Sequence, residues 1–477
     1  MLLALMGGVA SLAVARGTLA LMASLLPSEV LRTLRFELDP ALVGFAAVLS
    51  IGTGFLFGMF PALHATRSDL VTSIRANAGQ ITGHRSAARF RATLVVAQIA
   101  LSMALLTSAG LFLKSLLNVS RVDLGLHAEN VVTFGISPGL SGYDSTRSAG
   151  LFERVEDQLA ALPGATAVTA ASVPLIAGDN WGTSVRVQGF VAGPDTDTGS
   201  RYNEVGPGFF GAVGMKLLAG REFTRADSRD APRVAVVNEA FAKKFNLGRD
   251  AVGKFMSTNG RDTLNTQIVG LVQNAKYSEV KQEVPPVVFT PWRQDARIGS
   301  INFYVRTSLP PSQMLGAIPM VLKRLDAGLP VEGLKTLPQQ IKESVFLDRM
   351  ISILSASFAA LATLLAAVGL YGVLAYSVAQ RTREIGVRLA LGADARRVRR
   401  MVMRQVAGMA VVGGLLGVGG ALALGRSAGS LLFGLNGRDP AVFTLAGLLL
   451  GLVAMGAGYV PARRAARVEP MQALRYE

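Results

Sequence analysis

Residues 248–254, GRDAVGK, have the spacing of a phosphate-binding loop. The two glycines and the lysine match the first seven positions of a loop whose backbone N–H groups surround nucleotide phosphates. The eighth position is Phe255, where a serine or threonine hydroxyl is needed to hold magnesium. The segment also follows a predicted helix and loop, whereas a phosphate-binding loop follows a strand. We therefore predict that it does not bind a nucleotide.

The histidines are the other residues that could form a catalytic or metal-binding set. They are scattered at His64, His84 and His127, and the chain has no cysteine. This arrangement matches neither the ligand spacing of a zinc site nor a catalytic triad. We predict that the chain is not an enzyme and that it has no catalytic residue, cofactor site or metal site.

Residues 371–405, YGVLAYSVAQRTREIGVRLALGADARRVRRMVMRQ, combine a helical pattern with many arginines. Ile385 and Leu389 fall on one helical face, Gly392 permits a turn, and Asp394 can cap the next helix. The pattern predicts a short amphipathic helix at a membrane surface. Composition alone leaves two uses open, which are docking on a partner protein and adhesion to acidic lipids.

Stretches of uncharged residues show which elements would hold this helix in place. Of the 477 residues, 50% are hydrophobic and 17% are charged, whereas a soluble protein has about 25% charged residues. Five uncharged stretches reach the roughly 20 residues needed to cross a membrane, and they are 41–60, 92–113, 350–380, 405–425 and 440–462. Residues 1–15 are also apolar but shorter, and we predict about six transmembrane helices in total. Long apolar stretches of this kind exclude a soluble enzyme and a strand-built outer-membrane protein.

Charge is unevenly distributed along the chain, whose net charge is +16. Residues 121–345 contain 24 basic and 22 acidic residues, and the rest of the chain contains 24 and 10. Because positive charge accumulates in cytoplasmic loops, the basic loops at 67–91 and 381–404 are predicted to be cytoplasmic. Residues 118–346 are then extracytoplasmic. No nucleic-acid partner is predicted, because the positive charge lies in short loops beside the spans.

The first residues allow a second interpretation. Residues 13–16, AVAR, imitate a signal-peptidase site, but the positively charged start of a signal peptide is missing. Both interpretations leave the other five spans in the same orientation.

The two ends of the chain repeat each other at an offset of 400 residues. Asp39 and the two residues after it match Asp439 and its successors, and Gly58 matches Gly458. This pattern predicts a duplicated membrane part. The first copy lacks the leading span, the outer domain and the basic hairpin of the second copy. We therefore expect Met1 to be a start inside a longer reading frame.

The residues between the third and fourth spans mix helix and strand patterns, which predicts an α+β domain. A helix with an apolar face is predicted at residues 147–162, a helix capped by Asn238 at 239–245, and a last one at 337–345. Strands are predicted at residues 167–173, 184–187, 233–237, 267–272, 287–290 and 301–306.

The sequence resembles a superfamily of ABC-transporter permeases. QRTREIGVRLALGA, at residues 380–393, is similar to the coupling-helix signature of the group that includes the macrolide exporter, the cell-division permease and the lipoprotein-releasing permeases. VGPGFFGAVGMKLLAGREFT, PRVAVVNEAFAKKF, GRDAVGKF and IVGLVQNAKYSEVKQEVPPVVFTPW are similar, in this order, to the periplasmic core domain of the macrolide-exporter branch. The whole chain most resembles the C-terminal portion of the duplicated orphan permeases first noted in acidobacteria.

The residues and the resemblance together predict the architecture. It is an α-helical membrane protein with about six transmembrane helices, a duplicated permease unit and an inserted extracytoplasmic α+β domain. The expected divisions are an incomplete first repeat at 1–80, a cytoplasmic linker and third span at 81–117, the outer domain at 118–346, and the second repeat with three spans and the coupling helix at 347–477.

The resemblance implies the permease subunit of an ABC-type transporter in the cell inner membrane, serving export or envelope processes. A separate cytoplasmic ABC ATPase would hydrolyse ATP, and the outer domain would transmit motion. Other implied partners are the lipid bilayer and a periplasmic adaptor or a second permease. The tract after the second span, residues 63–91, does not match the signature. The ATPase-docking residues carried over from the signature are Arg381, Arg383, Glu384, Ile385, Gly386, Arg388 and Gly392.

Two other functions stay open at this point. One is an ATP-independent receptor or sensor whose outer domain binds an envelope ligand while the basic hairpin contacts lipid. The other is a nonfunctional fragment of a longer permease.

Overall fold

The computed structural model describes residues 2–25, 39–66, 82–259, 263–391, 394–435 and 437–467. The chain divides into a membrane unit, residues 1–114 and 350–477, and an outer unit, residues 115–349. The described helices are α1 (Leu2–Leu25), α2 (Pro40–Thr66), α3 (Thr82–Ser120), α4 (Ser145–Ala160), α5 (Phe209–Val213), α6 (Glu239–Lys244), α7 (Pro311–Leu325), α8 (Leu337–Ser344), α9 (Phe346–Gln380), α10 (Thr382–Ala390), α11 (Ala395–Ser427) and α12 (Pro440–Ala465). The described strands are β1 (Val131–Ile136), β2 (Ala165–Ala171), β3 (Trp181–Val187), β4 (Gly199–Val205), β5 (Leu217–Gly220), β6 (Val234–Asn238), β7 (Phe255–Thr258), β8 (Thr266–Val272), β9 (Val287–Pro291), β10 (Ile301–Thr307) and β11 (Glu332–Thr336).

The membrane unit is built from long apolar helices. Among the described residues, α3, α9, α11 and α12 are long and apolar enough to cross a membrane. Helices α1 and α2 carry shorter apolar stretches, Ala4–Ala20 and Pro40–Phe55, so six spans remain a prediction. Large side chains on the spanning helices face outward, as shown by Leu415 at 69% and Leu452 at 72% exposure. Such exposed apolar surface is suited to contact with lipid chains.

Small residues bring α11 close to α3. A Cβ atom added to Gly417 would lie 2.5 Å from the backbone oxygen of Ala100, and one added to Gly413 would lie 2.8 Å from the Cβ of Ile99. Backbones approach this closely only where one helix lacks side chains. Helices α3 and α11 are therefore in direct contact at Gly413 and Gly417.

The internal repeat has a structural counterpart at the start of α2 and α12. The carboxylate of Asp39 accepts a hydrogen bond from the backbone N–H of Ala41 at 2.9 Å. Asp439 accepts the equivalent bond from Ala441 at 3.1 Å. In each copy an aspartate thus satisfies a free N–H group at the start of a helix whose first residue is proline. Helix α1 packs on α2 as α11 packs on α12.

One part of the outer unit is a four-stranded antiparallel sheet in the order β11-β1-β10-β2. Helices α4 and α7 cover it, and their apolar faces meet Phe134, Phe303 and Trp292 in a buried core. Helix α4 begins where the carboxylate of Asp144 accepts a bond from the backbone N–H of Arg147 at 2.8 Å. The sheet and its helices confirm the predicted mixture of α and β structure.

The other part of the outer unit is a ring of six strands. The strands follow one another around the ring in the order β4, β3, β7, β8, β6 and β9. The ring closes where β9 pairs with β4. Its core contains Val185, Ile268 and Phe241. Strand β4 also pairs with β2 at Ala171, so it belongs to both the ring and the four-stranded sheet. Residues of β4 are therefore placed where the two sheet systems join.

Most sequence-predicted elements occur within two or three residues of their predicted bounds. The strands predicted at 167–173, 233–237 and 301–306 correspond to β2, β6 and β10. Asn238 caps α6, since its side chain accepts from the N–H of Phe241 at 3.0 Å. Strands β1, β4, β5, β7 and β11 and helices α5 and α7 were not predicted.

Candidate functional site

The basic hairpin of the membrane unit consists of the end of α9, the short helix α10 and the start of α11. Asp394 begins α11, where its carboxylate accepts a hydrogen bond from the N–H of Arg396 at 3.0 Å. The predicted amphipathic helix is confirmed as α10, and the predicted cap as Asp394. The turn residue Gly392 lies outside the described residues, as does the side chain of Arg383.

The predicted docking residues divide between the two faces of α10. Ile385 is 1% exposed and belongs to the apolar core of the membrane unit, and Gly386 is also buried. Arg381, Glu384 and Arg388 are exposed. Helix α10 is thus fixed to the membrane helices by one face and presents charged side chains on the other.

Glu384 forms an ion pair within α10. Its Oε1 lies 2.6 Å from the guanidinium of Arg388, one helical turn away, and both side chains are about half exposed. A solvated pair at this spacing contributes only about 0.3 kcal/mol. Arg388 also contacts the sulfur of Met401 on α11, with 3.3 Å between the nitrogen and Sδ. The pair therefore orients the charges of α10 without being required for the helix to form.

A basic groove lies between α10 and α11. It encloses about 970 Å³ and is lined by four arginines, Arg388, Arg397, Arg400 and Arg404. Its floor contains Ile385 and Val398, which are buried. The sequence showed the arginines but could not show that one set of them shares a groove, because that depends on how α10 turns back on α11.

A second polar site, which the sequence analysis missed, lies on β4 in the outer unit. Glu204 is 7% exposed, and its carboxylate accepts hydrogen bonds from the hydroxyl of Tyr202 at 3.0 Å and of Ser172 at 3.3 Å. The hydroxyl of Thr290 on β9 donates in turn to Tyr202 at 2.8 Å. Glu204 thus connects β4 to β9 through a chain of hydroxyl groups.

Burial, together with the nearby carboxylate of Asp295, raises the pKa of Glu204 to about 7. The hydroxyls of Tyr202 and Ser172 stabilise the ionised form and oppose the change, but removal of the carboxylate from water has the larger effect. Glu204 and Asp295 line a polar cavity of about 800 Å³ together with Arg229, Arg233 and Trp181. At neutral pH this carboxyl is therefore divided between its protonated and ionised forms.

The segment that imitates a phosphate-binding loop connects α6 to β7. The N–H of Gly253 donates to the backbone oxygen of Ile268 at 2.8 Å, and the N–H of Lys254 donates to that of Ala251 at 3.3 Å. These groups are committed to the fold and cannot surround a phosphate. A strand follows the segment, whereas a phosphate-binding loop leads into a helix. Within the described part of the chain, no group of three or more histidine, aspartate or glutamate side chains is placed to hold a metal ion.

Two protein-family matches cover most of the chain. The MacB-like periplasmic core domain matches residues 45–314, and the C-terminal domain of FtsX-like permeases matches residues 356–470. The second match contains the whole of α10 and α11. The matched parts are the permease and periplasmic parts.

Curated relatives give the same assignment. The chain is 27% identical over 277 residues to the pyoverdine export ATP-binding/permease protein PvdT of Pseudomonas syringae pv. tomato, covering 55% of this chain and 40% of the relative. It is 24% identical over 299 residues to the macrolide export ATP-binding/permease protein MacB of Wolinella succinogenes, covering 59% and 44%. The chain thus spans less than half the length of these relatives.

Among solved structures, the periplasmic region of MacB from Actinobacillus actinomycetemcomitans aligns with 49% of this chain and 97% of its own length, at 16% identity and a TM-score of 0.31. The periplasmic match alone covers more than half of the chain, and the FtsX-like match accounts for the last membrane helices. This chain is therefore a membrane permease with an inserted strand-rich domain and belongs to the MacB-like family of ABC-type permeases.

Proposed function

We propose that the chain is the permease subunit of an ABC-type transporter in the inner membrane, and that a separate cytoplasmic ATPase docks on α10. The observation that carries the proposal is the division of α10 into two faces. Ile385 and Gly386 are buried in the membrane unit, while Arg381 and Glu384 remain exposed. A helix held in this way can pass a force from a partner to the membrane helices.

In this proposal the docking residues have different roles. Arg381, Glu384 and Arg388 contact the ATPase, because their side chains reach solvent. Ile385 and Gly386 form the buried face of α10, and their packing against the membrane unit sets the position and angle of this helix. The outer unit transmits the motion to the extracytoplasmic side, for export or an envelope process, and a periplasmic adaptor or a second permease would complete the assembly.

Glu384 offers the sharpest test, because it is the acid that the helix presents among arginines. Removing one partner from a charge pair that is desolvated in an interface costs roughly 2 to 5 kcal/mol. Loss of its exposed pair with Arg388 costs only about 0.3 kcal/mol, so α10 itself should persist. We expect Glu384→Lys to abolish copurification of an ABC ATPase with the tagged chain, together with ATP hydrolysis by the recovered complex, at unchanged membrane insertion.

A matched control separates loss of the acid from gain of positive charge. Ala390→Lys adds a positive charge to an exposed position of the same helix. It should leave ATPase recovery close to that of the unmodified chain. If both variants, or neither, lose the ATPase, Glu384 is not a docking residue. A receptor or sensor that acts without ATP would recover no ATPase even with the unmodified chain.

A further inference from the structure

The basic groove between α10 and α11 lies at the level of lipid headgroups. After Arg404, the next charged residue of α11 is Arg426, and the 21 residues between them are uncharged. As a helix these residues span about 31 Å, close to the roughly 30 Å thickness of a hydrocarbon core. Arg404 must then lie at the boundary where the hydrocarbon core ends.

The other groove arginines of α11 follow at defined depths. Arg400 lies about 6 Å and Arg397 about 10 Å further along the helix axis than Arg404. The headgroup layer on each side of a bilayer is about 5 to 7 Å thick. Arg404 and Arg400 are therefore within the headgroup layer, and Arg397 lies about 3 Å beyond it, a distance that its long side chain can span.

The groove has the charge and the surface that a phosphodiester headgroup needs. Among the described residues, Arg397, Arg400 and Arg404 have no acidic partner, while Arg388 is paired with Glu384. Guanidinium groups bind phosphate oxygens through paired N–H donors. Buried Ile385 and Val398 provide an apolar floor, and Leu391 beside them is 82% exposed, so glycerol and the first acyl carbons would also find apolar contacts.

We propose that this groove binds the headgroup of an acidic phospholipid from the adjacent leaflet. The bound lipid would bridge α10 and α11 and keep α10 pressed against the membrane unit. Glu384 does not line the groove, although its partner Arg388 does. The other three groove arginines, Arg397, Arg400 and Arg404, are not among the docking residues. Lipid binding therefore goes beyond ATPase docking, and variants of these three arginines test it separately.

The test uses the full chain in detergent, and native mass spectrometry to measure how many lipids bind. Phosphatidylglycerol is titrated against phosphatidylcholine with the same acyl chains. A basic residue at an acidic bilayer surface contributes about fivefold in affinity. The double variant Arg397→Gln and Arg400→Gln should therefore bind phosphatidylglycerol about 25-fold more weakly, and Arg404→Gln alone about fivefold more weakly.

The matched control is Arg396→Gln with Arg399→Gln, which removes the same charge from α11 at positions outside the groove. It should retain phosphatidylglycerol binding. Equal loss in both double variants would show a general attraction of the helix for acidic lipid and would overturn the site. No preference for phosphatidylglycerol over phosphatidylcholine would also overturn it, as would displacement of the lipid by millimolar inorganic phosphate. Glu384→Lys should not weaken lipid binding, so failure of ATPase docking stays distinguishable.

Discussion

Replacing Glu204 with glutamine should remove most of the pH dependence of the stability of the outer unit between pH 5 and pH 8. Burial, with a further contribution from Asp295, raises the pKa of Glu204 to about 7 from an ordinary value of 4.5. The folded unit therefore holds this proton more tightly than the unfolded chain does. The resulting stabilisation is fully present below about pH 4.5 and is lost as the pH rises through about 7.

The size of the effect follows from the two pKa values. A change from 4.5 to about 7 corresponds to about 3 kcal/mol of unfolding free energy, because each pKa unit is worth about 1.4 kcal/mol. Glu204 is 7% exposed, so solvent screens this energy little. With a urea dependence of about 3 kcal/mol per molar, the unfolding midpoint should fall by about 1 M between pH 5 and pH 8. The glutamine variant should lack this fall.

Tryptophan fluorescence provides a selective assay in the intact chain. The chain has two tryptophans, Trp181 and Trp292, and both belong to the outer unit. Urea unfolding in detergent, followed by tryptophan emission at several pH values, therefore measures the unfolding of the outer unit. The membrane unit contributes no tryptophan signal. The difference between the unmodified chain and the Glu204→Gln variant cancels the contributions of all other titrating groups.

Asp295→Asn supplies the control for the cause of the raised pKa. It removes the nearby negative charge, so the pH at which stability is lost should move downward, while the burial of Glu204 keeps it above 4.5. Parallel pH curves for the unmodified chain and the Glu204→Gln variant would refute the reasoning, because Glu204 would then be ionised in both the folded and the unfolded chain at neutral pH.

The remaining predictions concern helix contact and topology. Gly417→Ala should destabilise the membrane unit by about 1 to 3 kcal/mol in thermal unfolding, because the added Cβ would meet the backbone of Ala100. The control Gly414→Ala should have little effect on stability, since a Cβ at that position has nothing within 4 Å. Equal effects of the two substitutions would contradict the close contact. In this cysteine-free chain, Val191→Cys, at a position 92% exposed in the outer unit, should react with an impermeant thiol reagent in intact cells, and Arg399→Cys should react only after lysis. The reverse pattern would invert the proposed topology.

The elements that the sequence predicted are those with a regular apolar pattern. Strand β6 was predicted because its residues are apolar, and helix α4 because Leu151, Val155 and Leu159 recur at helical spacing. Strand β4 escaped prediction because three of its four buried residues, Ser200, Asn203 and Glu204, are polar. Asn203 is fully buried, and its side chain both donates to and accepts from the backbone of Val173, each at 2.9 Å. Such a strand has no hydrophobic alternation to detect.

Helix α7 escaped prediction for a different reason. It begins at Pro311 and contains Pro319 in its interior, and prolines in a sequence usually mark the end of a helix. Met314, Ile318 and Leu322 nevertheless lie on one buried face and pack in the core of the four-stranded sheet. Tertiary packing here outweighs the local preference of proline. The Glu204 site could not be predicted either, because it also depends on tertiary structure, namely on β4 and β9 lying side by side.

The hairpin is where local pattern and tertiary structure agree, and this agreement supports a mechanical role. Ile385 belongs to the same buried cluster as Val398 and Val402, so α10 cannot be displaced without disturbing α11. Helix α11 in turn meets α3 at Gly417, with too little space for either helix to slide independently. A force on α10 would therefore reach α3, whose helix continues unbroken to Ser120. An anchor that only held lipid would need the arginines but would not need this continuous packing, which is why the docking proposal accounts for more of the hairpin than lipid adhesion alone.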